Sequence, residues 1–245
     1  MDMGDETFPR DELPGTAYVA SMIDHSLLQP QLTAEDVTGG LAIARACKVA
    51  SACVRPSDVE RAVAELAGSG VMVSTVIGFP HGSCTTRTKV GEVAEALSLG
   101  ADEFDMVLHI GALRGHDAPY VGRDIRAVVD AASGRTVKVI LENAYLTTEE
   151  KVLGCHLAEE AGARFVKTST GYAPSGATLE DIVLMRANVS PHVGVKAAGG
   201  VRTLDTLLAM ARAGATRFGA SATVAILEEL RQRRAEVGAA ADTER

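Results

Sequence analysis

The sequence predicts a single (β/α)8 barrel of the TIM type, and three observations carry that expectation. Eight short apolar, β-rich runs alternate with Ala-, Leu-, Glu- and Arg-rich stretches of helical periodicity across 245 residues. Helix-starting and helix-stopping residues fall at the joints between them. The spacing of roughly 25–30 residues per unit fits a barrel of about 250 residues, whereas a doubly wound sheet more often has about six strands.

The strand runs are Met22–Asp24, Ala50–Val54, Val71–Ile77, Glu103–Ile110, Thr136–Leu141, Arg164–Thr168, Val193–Lys196 and Thr216–Ala220. The helical stretches are Ala34–Cys47, Ser57–Ala67, Thr86–Leu99, Asp124–Ala132, Glu149–Ala161, Leu179–Ala187, Leu204–Ala213 and Thr223–Arg234. Thr33, Thr147 and Thr178 each precede acidic residues, as N-caps do. Gly68, Gly100, Gly162 and Gly214 follow helical stretches, and a Gly-Ala-x step (100–102, 162–164, 214–216) leads into a strand three times, as in a repeated βα unit. One barrel domain is expected over 16–237, with 1–15 as an N-terminal arm or short cap and 238–245 as a flexible tail.

Composition narrows the function. A net charge of −8, with no stripe of aromatic and basic residues, argues against nucleic acid as a partner. No apolar run reaches the roughly 18 residues of a membrane span, and the acidic start lacks the pattern of a signal peptide, so a cytoplasmic enzyme is expected. The four cysteines form no CxxC pair and the six histidines no HExxH, so the reading includes neither a metal site nor a cofactor.

In such a barrel the active site lies where the strands end, which directs attention to polar residues closing apolar runs: Asp24, Asp105, Glu142, Lys167 and Lys196. The chain has six lysines against eighteen arginines, so two lysines at matching positions on consecutive strands look chosen for chemistry. Arg cannot lose its proton in a protein; a desolvated Lys amine beside another cation can, and can then attack a carbonyl. Asp105, between Phe104 and Met106, reads as a buried carboxylate that needs a lysine partner, either as a structural ion pair or as a proton relay with Lys196. Lys138, near the start of its strand, is expected to face the structural end and to have no role. The glycine-bearing turns at Gly171, Gly199-Gly200 and Gly219-Ala220-Ser221 follow strands six to eight and precede or open helices, so their backbone N–H groups can cradle an anion at helix N-termini.

The segments IDHSLLQP (23–30), ACVRP (52–56), TVIGFPHG (75–82), ADEFDMV (101–107), VKVILEN (137–143), FVKTSTGY (165–172), VGVKAAGGVRT (193–203) and RFGASA (217–222) closely resemble the deoxyribose-phosphate aldolase family and cover all eight strands. The resemblance implies reversible, cofactor-independent cleavage of 2-deoxy-D-ribose 5-phosphate to acetaldehyde and D-glyceraldehyde 3-phosphate, in deoxyribonucleoside catabolism. By its motifs Lys167 is the Schiff-base lysine, Lys196 the lysine that lowers its pKa, and Asp105 the relay carboxylate. Asp24 and Ser26 stand at the sugar hydroxyls; Thr170, Gly171, Gly199, Gly200, Val201, Gly219 and Ser221 form the phosphate end. A homodimer is also implied.

This sequence departs from the family pattern at Ser26 (commonly Thr), Gln29 (often Lys) and Ala222 (often Ser), and its tail GAAADTER lacks a terminal Tyr. Weaker phosphate binding is expected from Ala222, and Cys53 is read as a buried thiol that could line an aldehyde pocket. The competing readings are another Schiff-base barrel enzyme, such as a transaldolase, and a non-catalytic barrel that binds a sugar phosphate.

Overall fold

A computed structural model describes the backbone of residues 13–243, and side chains as far as Val237. Most of the expected arm and the end of the expected tail lie outside the described residues. The eight strands are β1 (Ile23–Leu27), β2 (Ser51–Val54), β3 (Met72–Ile77), β4 (Glu103–Val107), β5 (Thr136–Ile140), β6 (Phe165–Lys167), β7 (Gly194–Ala198) and β8 (Arg217–Ala220). All pair in parallel with their sequence neighbours, and β8 closes on β1, so the sheet is a complete barrel. Around it run α1 (Thr16–Ala20), α2 (Ala34–Cys47), α3 (Val59–Leu66), α4 (Thr86–Ser98), α5 (Ile110–Arg114), α6 (Ala118–Ala131), α7 (Thr148–Glu160), α8 (Leu179–Ala187), α9 (Leu204–Arg212) and α10 (Thr223–Thr243).

The helix signals act as the sequence predicts. Thr33 and Thr147 form reciprocal capping boxes with Asp36 and Glu150, and Thr178 caps α8 through Asp181 N–H. Gly68, Gly100, Gly162 and Gly214 all take positive φ, the left-handed stop that a Cβ would penalise. α2 ends on Lys48, which is itself left-handed at φ 52, so the sequence offers no glycine there.

Four expectations shift, one of them at the C-terminal end, where α10 runs on as helix to Thr243, past the expected Arg234 and into the expected tail. β1 runs on through Asp24, His25 and Ser26 instead of ending at Asp24, because its inward positions face a polar barrel interior and not an apolar core. β4 stops at Val107 and Ile110 starts the short α5, with His109 accepting Ala112 N–H at its cap. α6 begins six residues earlier than expected, at Ala118, where Asp117 caps Tyr120 N–H. At the start of the described chain, α1 lies against α10, and Arg234 donates to the carbonyls of Leu13 and Pro14 at 2.7 and 3.1 Å. Among the described residues no helix is long and apolar enough to cross a membrane.

Apolar side chains fill the layer between strands and helices, including Ile23, Val73, Phe104, Val139, Val166, Val195 and Phe218. His25 projects into this layer. It is buried, shares a 2.8 Å hydrogen bond with Thr223 Oγ1 at the start of α10, and burial pulls its imidazole down from 6.5 to about 4. The unfolded chain therefore takes up a proton that the folded chain refuses. The stability contributed by neutral His25 is complete above pH 6.5 and falls as pH drops toward about 4. Chemical denaturation at a series of pH values should show this decline, and His25→Gln should flatten the profile in that window.

Candidate active site

The barrel interior is charged where most barrels are filled with branched aliphatics. Lys167 and Lys196 are direct partners across β6 and β7, and Asp105 and Lys138 are direct partners across β4 and β5, so backbone register alone sets these pairs on one face. Asp105 Oδ2 accepts from Lys167 Nζ at 2.7 Å and from Lys196 Nζ at 2.6 Å. Its other oxygen, Oδ1, accepts from Lys138 Nζ at 2.9 Å. Lys138 also lies 2.7 Å from Glu103 and 3.4 Å from Asp24. Asp24 in turn lies 2.5 Å from Lys196 and accepts from Arg217 and from the Ser51 hydroxyl. Arg217 completes the circuit to Glu103 at 2.8 Å and sits over the Phe165 ring.

The expectation for Lys138 is therefore corrected. It is fully buried inside the barrel and is level with Asp105. Lys138 is the middle residue of β5 and stands opposite Asp105, the middle residue of β4.

Each charge is tuned by its neighbours. Burial pulls the Lys167 ammonium below the usual lysine value; Asp105 opposes this, and Lys196 adds to it. Burial also works against the Lys196 ammonium, but Asp105 and Asp24 outweigh it and hold that pKa above the usual value. Asp105 stays well below the carboxylate range despite burial, because Lys138, Lys167 and Lys196 converge on it. The network thus holds four basic side chains against the carboxylates of Asp24, Glu103 and Asp105. It balances when one lysine is neutral, and Lys167 is the one whose affinity for its proton is reduced.

Above this layer, at the ends of the strands, opens a cavity of about 460 Å3. Lys167, Lys196, Asp24, Ser26, Thr170, Gly171, Gly199, Gly200, Val201, Gly219 and Ser221 all line it, so the structure gathers these sequence-selected residues on one wall. Asp105 does not line it. It lies beneath both lysines, fully buried, and communicates with the cavity through them.

Cys53 lines the cavity too, packed with Leu28, Val76 and Phe79; burial raises its thiol, which stays protonated. Gln29, Arg202 and Tyr172 also line it, although sequence reasoning gave them no role. Arg202, next to Val201 in the turn after β7, was findable as a cation beside two glycines.

The glycine turns differ in kind. Gly199 and Gly200 take φ 81 and 88, and Gly171 takes φ 88, all left-handed. Neither turn opens its helix: α8 begins at Leu179 and α9 at Leu204, each with its own Thr cap. Only Ser221, just ahead of Thr223, stands near a helix N-terminus. Ala222 caps that first turn through its carbonyl and packs on the core, away from the cavity wall, so the geometry lends no support to weaker phosphate binding from this departure. Among the described residues no group of His, Cys, Asp and Glu side chains is arranged to hold a metal ion.

Comparison with known proteins points to one family. A profile of the DeoC/LacD family aldolases matches residues 18–229. A deoxyribose-phosphate aldolase from Bacillus mycoides is 53% identical over 210 residues, which is 85% of this chain and 94% of that relative. One from Listeria monocytogenes is also 53% identical, with the same coverage. Among solved structures, the tetrameric deoxyribose phosphate aldolase from Aeropyrum pernix has a TM-score of 0.83 at 31% identity, over 89% of this chain and 92% of that one.

Removing a cation from the sealed network exposes what it neutralises. Lys138→Met leaves Glu103 and Asp105 buried with one partner fewer, and should cost about 3–5 kcal/mol of stability. Urea denaturation near neutral pH measures this directly.

Proposed function

The chain belongs to the DeoC/LacD family of aldolases, and we propose that it reversibly cleaves 2-deoxy-D-ribose 5-phosphate to D-glyceraldehyde 3-phosphate and acetaldehyde through a Schiff base on Lys167. The observation that carries this reading is the pair of registered lysines sharing one oxygen of Asp105 at the floor of a cavity walled by glycine turns. The Bacillus and Listeria relatives named for this reaction support it.

The chemistry follows from the tuning of the site. Neutral Lys167 attacks C1 of the open-chain sugar, and the carbinolamine loses water to give a protonated imine. The 3-hydroxyl then gives up its proton, the C2–C3 bond breaks, and its electron pair flows to the iminium as an enamine while glyceraldehyde 3-phosphate leaves. Protonation of the enamine carbon and hydrolysis release acetaldehyde and restore the amine. Lys196 is the relay member that faces the cavity; Asp105, below it, receives or returns the proton through Lys196 or a water. Asp24 and Ser26 face the sugar hydroxyls, and the turns at Thr170–Gly171, Gly199–Val201 and Gly219–Ser221 hold the phosphate. Phosphate binding far from C1 fixes the reacting carbon beside the amine.

The proposed setting is cytoplasmic deoxyribonucleoside catabolism by a homodimer, which sedimentation would register at twice the chain mass.

Incubation with acetaldehyde followed by borohydride reduction should leave a two-carbon adduct on the peptide bearing Lys167, read by mass spectrometry. No adduct there, together with no cleavage of the sugar phosphate, overturns the reading. Lys167→Arg should abolish trapping. Lys196→Arg keeps a charge but loses the compact ammonium, and should reduce kcat by a hundredfold or more, on the order of what a general acid contributes. Because the free amine is the nucleophile, trapping should rise with pH through a midpoint below the ordinary lysine value of 10.5 and then level off.

A further inference from the structure

We infer that Glu142 is a positioning residue for the phosphate end of the substrate: it anchors the Thr170–Tyr172 turn from the neighbouring strand and so sets where Gly171 meets the ligand. The inference rests on the proposed function for the identity of that ligand. Glu142 stands two residues past the end of β5 and is buried, yet it takes a left-handed backbone, φ 59 and ψ 62, without being glycine. An L-residue in that region is strained, and the strain persists only where its surroundings fix it.

What fixes it is Thr170. The Thr170 N–H donates to Glu142 Oε1 at 3.1 Å, and the Thr170 hydroxyl donates to Oε2. The same hydroxyl oxygen accepts the Tyr172 N–H at 3.1 Å. Tyr172 then donates its phenol to the Leu28 carbonyl at 2.8 Å, beyond the end of β1, with its ring edge-on to Phe79. A chain of hydrogen bonds thus crosses the barrel mouth from β5 to β1, with Gly171 held inside it.

The far end of the same loop is tied to β7. Ala177 N–H donates to the Ala198 and Gly199 carbonyls, and Gly176 packs so closely on Gly199 that a Cβ would lie 2.1 Å from its oxygen. Gly171 is therefore suspended between two anchors, of which Glu142 is the one made by a side chain. This also changes the part assigned to Thr170: its hydroxyl is committed to Glu142 and Tyr172, so it shapes the turn and does not itself reach for the phosphate.

The test compares wild type, Glu142→Ala, Glu142→Gln and Thr170→Val on 2-deoxyribose 5-phosphate and on unphosphorylated 2-deoxyribose, with calorimetric binding of inorganic phosphate to the same proteins. Misplacement of the turn by about 1 Å should lower the ratio of kcat/KM for the phosphate ester to that for the free sugar tenfold or more in Glu142→Ala and Thr170→Val, mainly through KM. Phosphate binding should weaken in parallel. Glu142→Gln still offers an oxygen to the Thr170 N–H and an N–H to its hydroxyl, so it should retain most of the ratio. Equal losses on both sugars, no loss on either, or a Gln variant as poor as Ala would each overturn the inference, the last by pointing to the charge. If Glu142→Ala does not fold, Thr170→Val decides. A wild type inactive on both sugars sinks the proposed function, while phosphate binding still tests the anchor; a wild type that binds no phosphate overturns the anchor as well.

Discussion

One oxygen of Asp105 holds two lysines, and the rest of the barrel is arranged around making that possible. Two ammonium groups within 2.7 Å of the same atom repel each other, and both have left water. A buried network of this density is stable only if its charges nearly cancel and each polar atom is met. Lys138, Lys196 and Arg217 match the carboxylates of Asp24, Glu103 and Asp105 in number, and Lys167, whose affinity for its proton burial reduces, is the fourth basic group. In the proposed reaction the nucleophile is the basic group in excess. Lys167 shares its carboxylate oxygen, Asp105 Oδ2, with Lys196, and its side chain, 4% exposed, opens to the cavity more than that of Lys196.

Strand register is what turns this electrostatic condition into a structure. Every strand of a closed barrel has a partner on each side, so no edge is free to slip, and a shift by one residue would turn the lysines outward into the helix layer. Small residues make room for the large ones. A Cβ on Gly194 would lie 2.3 Å from the Phe165 ring, which in turn faces the Arg217 guanidinium, and Gly219 lies against Lys196 and Ala198. The same glycine pattern that opens the cavity roof therefore also admits bulky charged side chains to the layer below.

The fold was legible because its signals are local: threonine caps, left-handed glycines and apolar runs each act within a few residues. Lys167 and Lys196 were legible because lysine is scarce in an arginine-rich chain and both close apolar runs. Lys138 was not, since its part depends on which residue of β4 stands beside it, and register between strands is not written in either strand alone. Glu142 was noticed as a polar residue ending a strand, but its partner Thr170 is 28 positions away and on another loop. Gly171, Gly199 and Gly200 were read correctly as turns and incorrectly as helix openers, because the distance from a turn to the next cap depends on how far the loop must travel across the barrel mouth.

The lysine end and the glycine-turn end of the cavity are joined by very little chain. Only Thr168, Ser169 and Thr170 separate Lys167 from Gly171, and the first two have their hydroxyls bound to the Ala198 carbonyl on β7. Thr168 also accepts the Ala198 N–H, so this stretch is fixed to the neighbouring strand on both sides of the peptide. A ligand held at Gly171 and Gly199 is consequently held at a set distance from the Lys167 amine. In the proposed reaction such rigidity would let binding energy from a remote phosphate act on the position of the reacting carbon, where flexible linkage would spend it on ordering the loop.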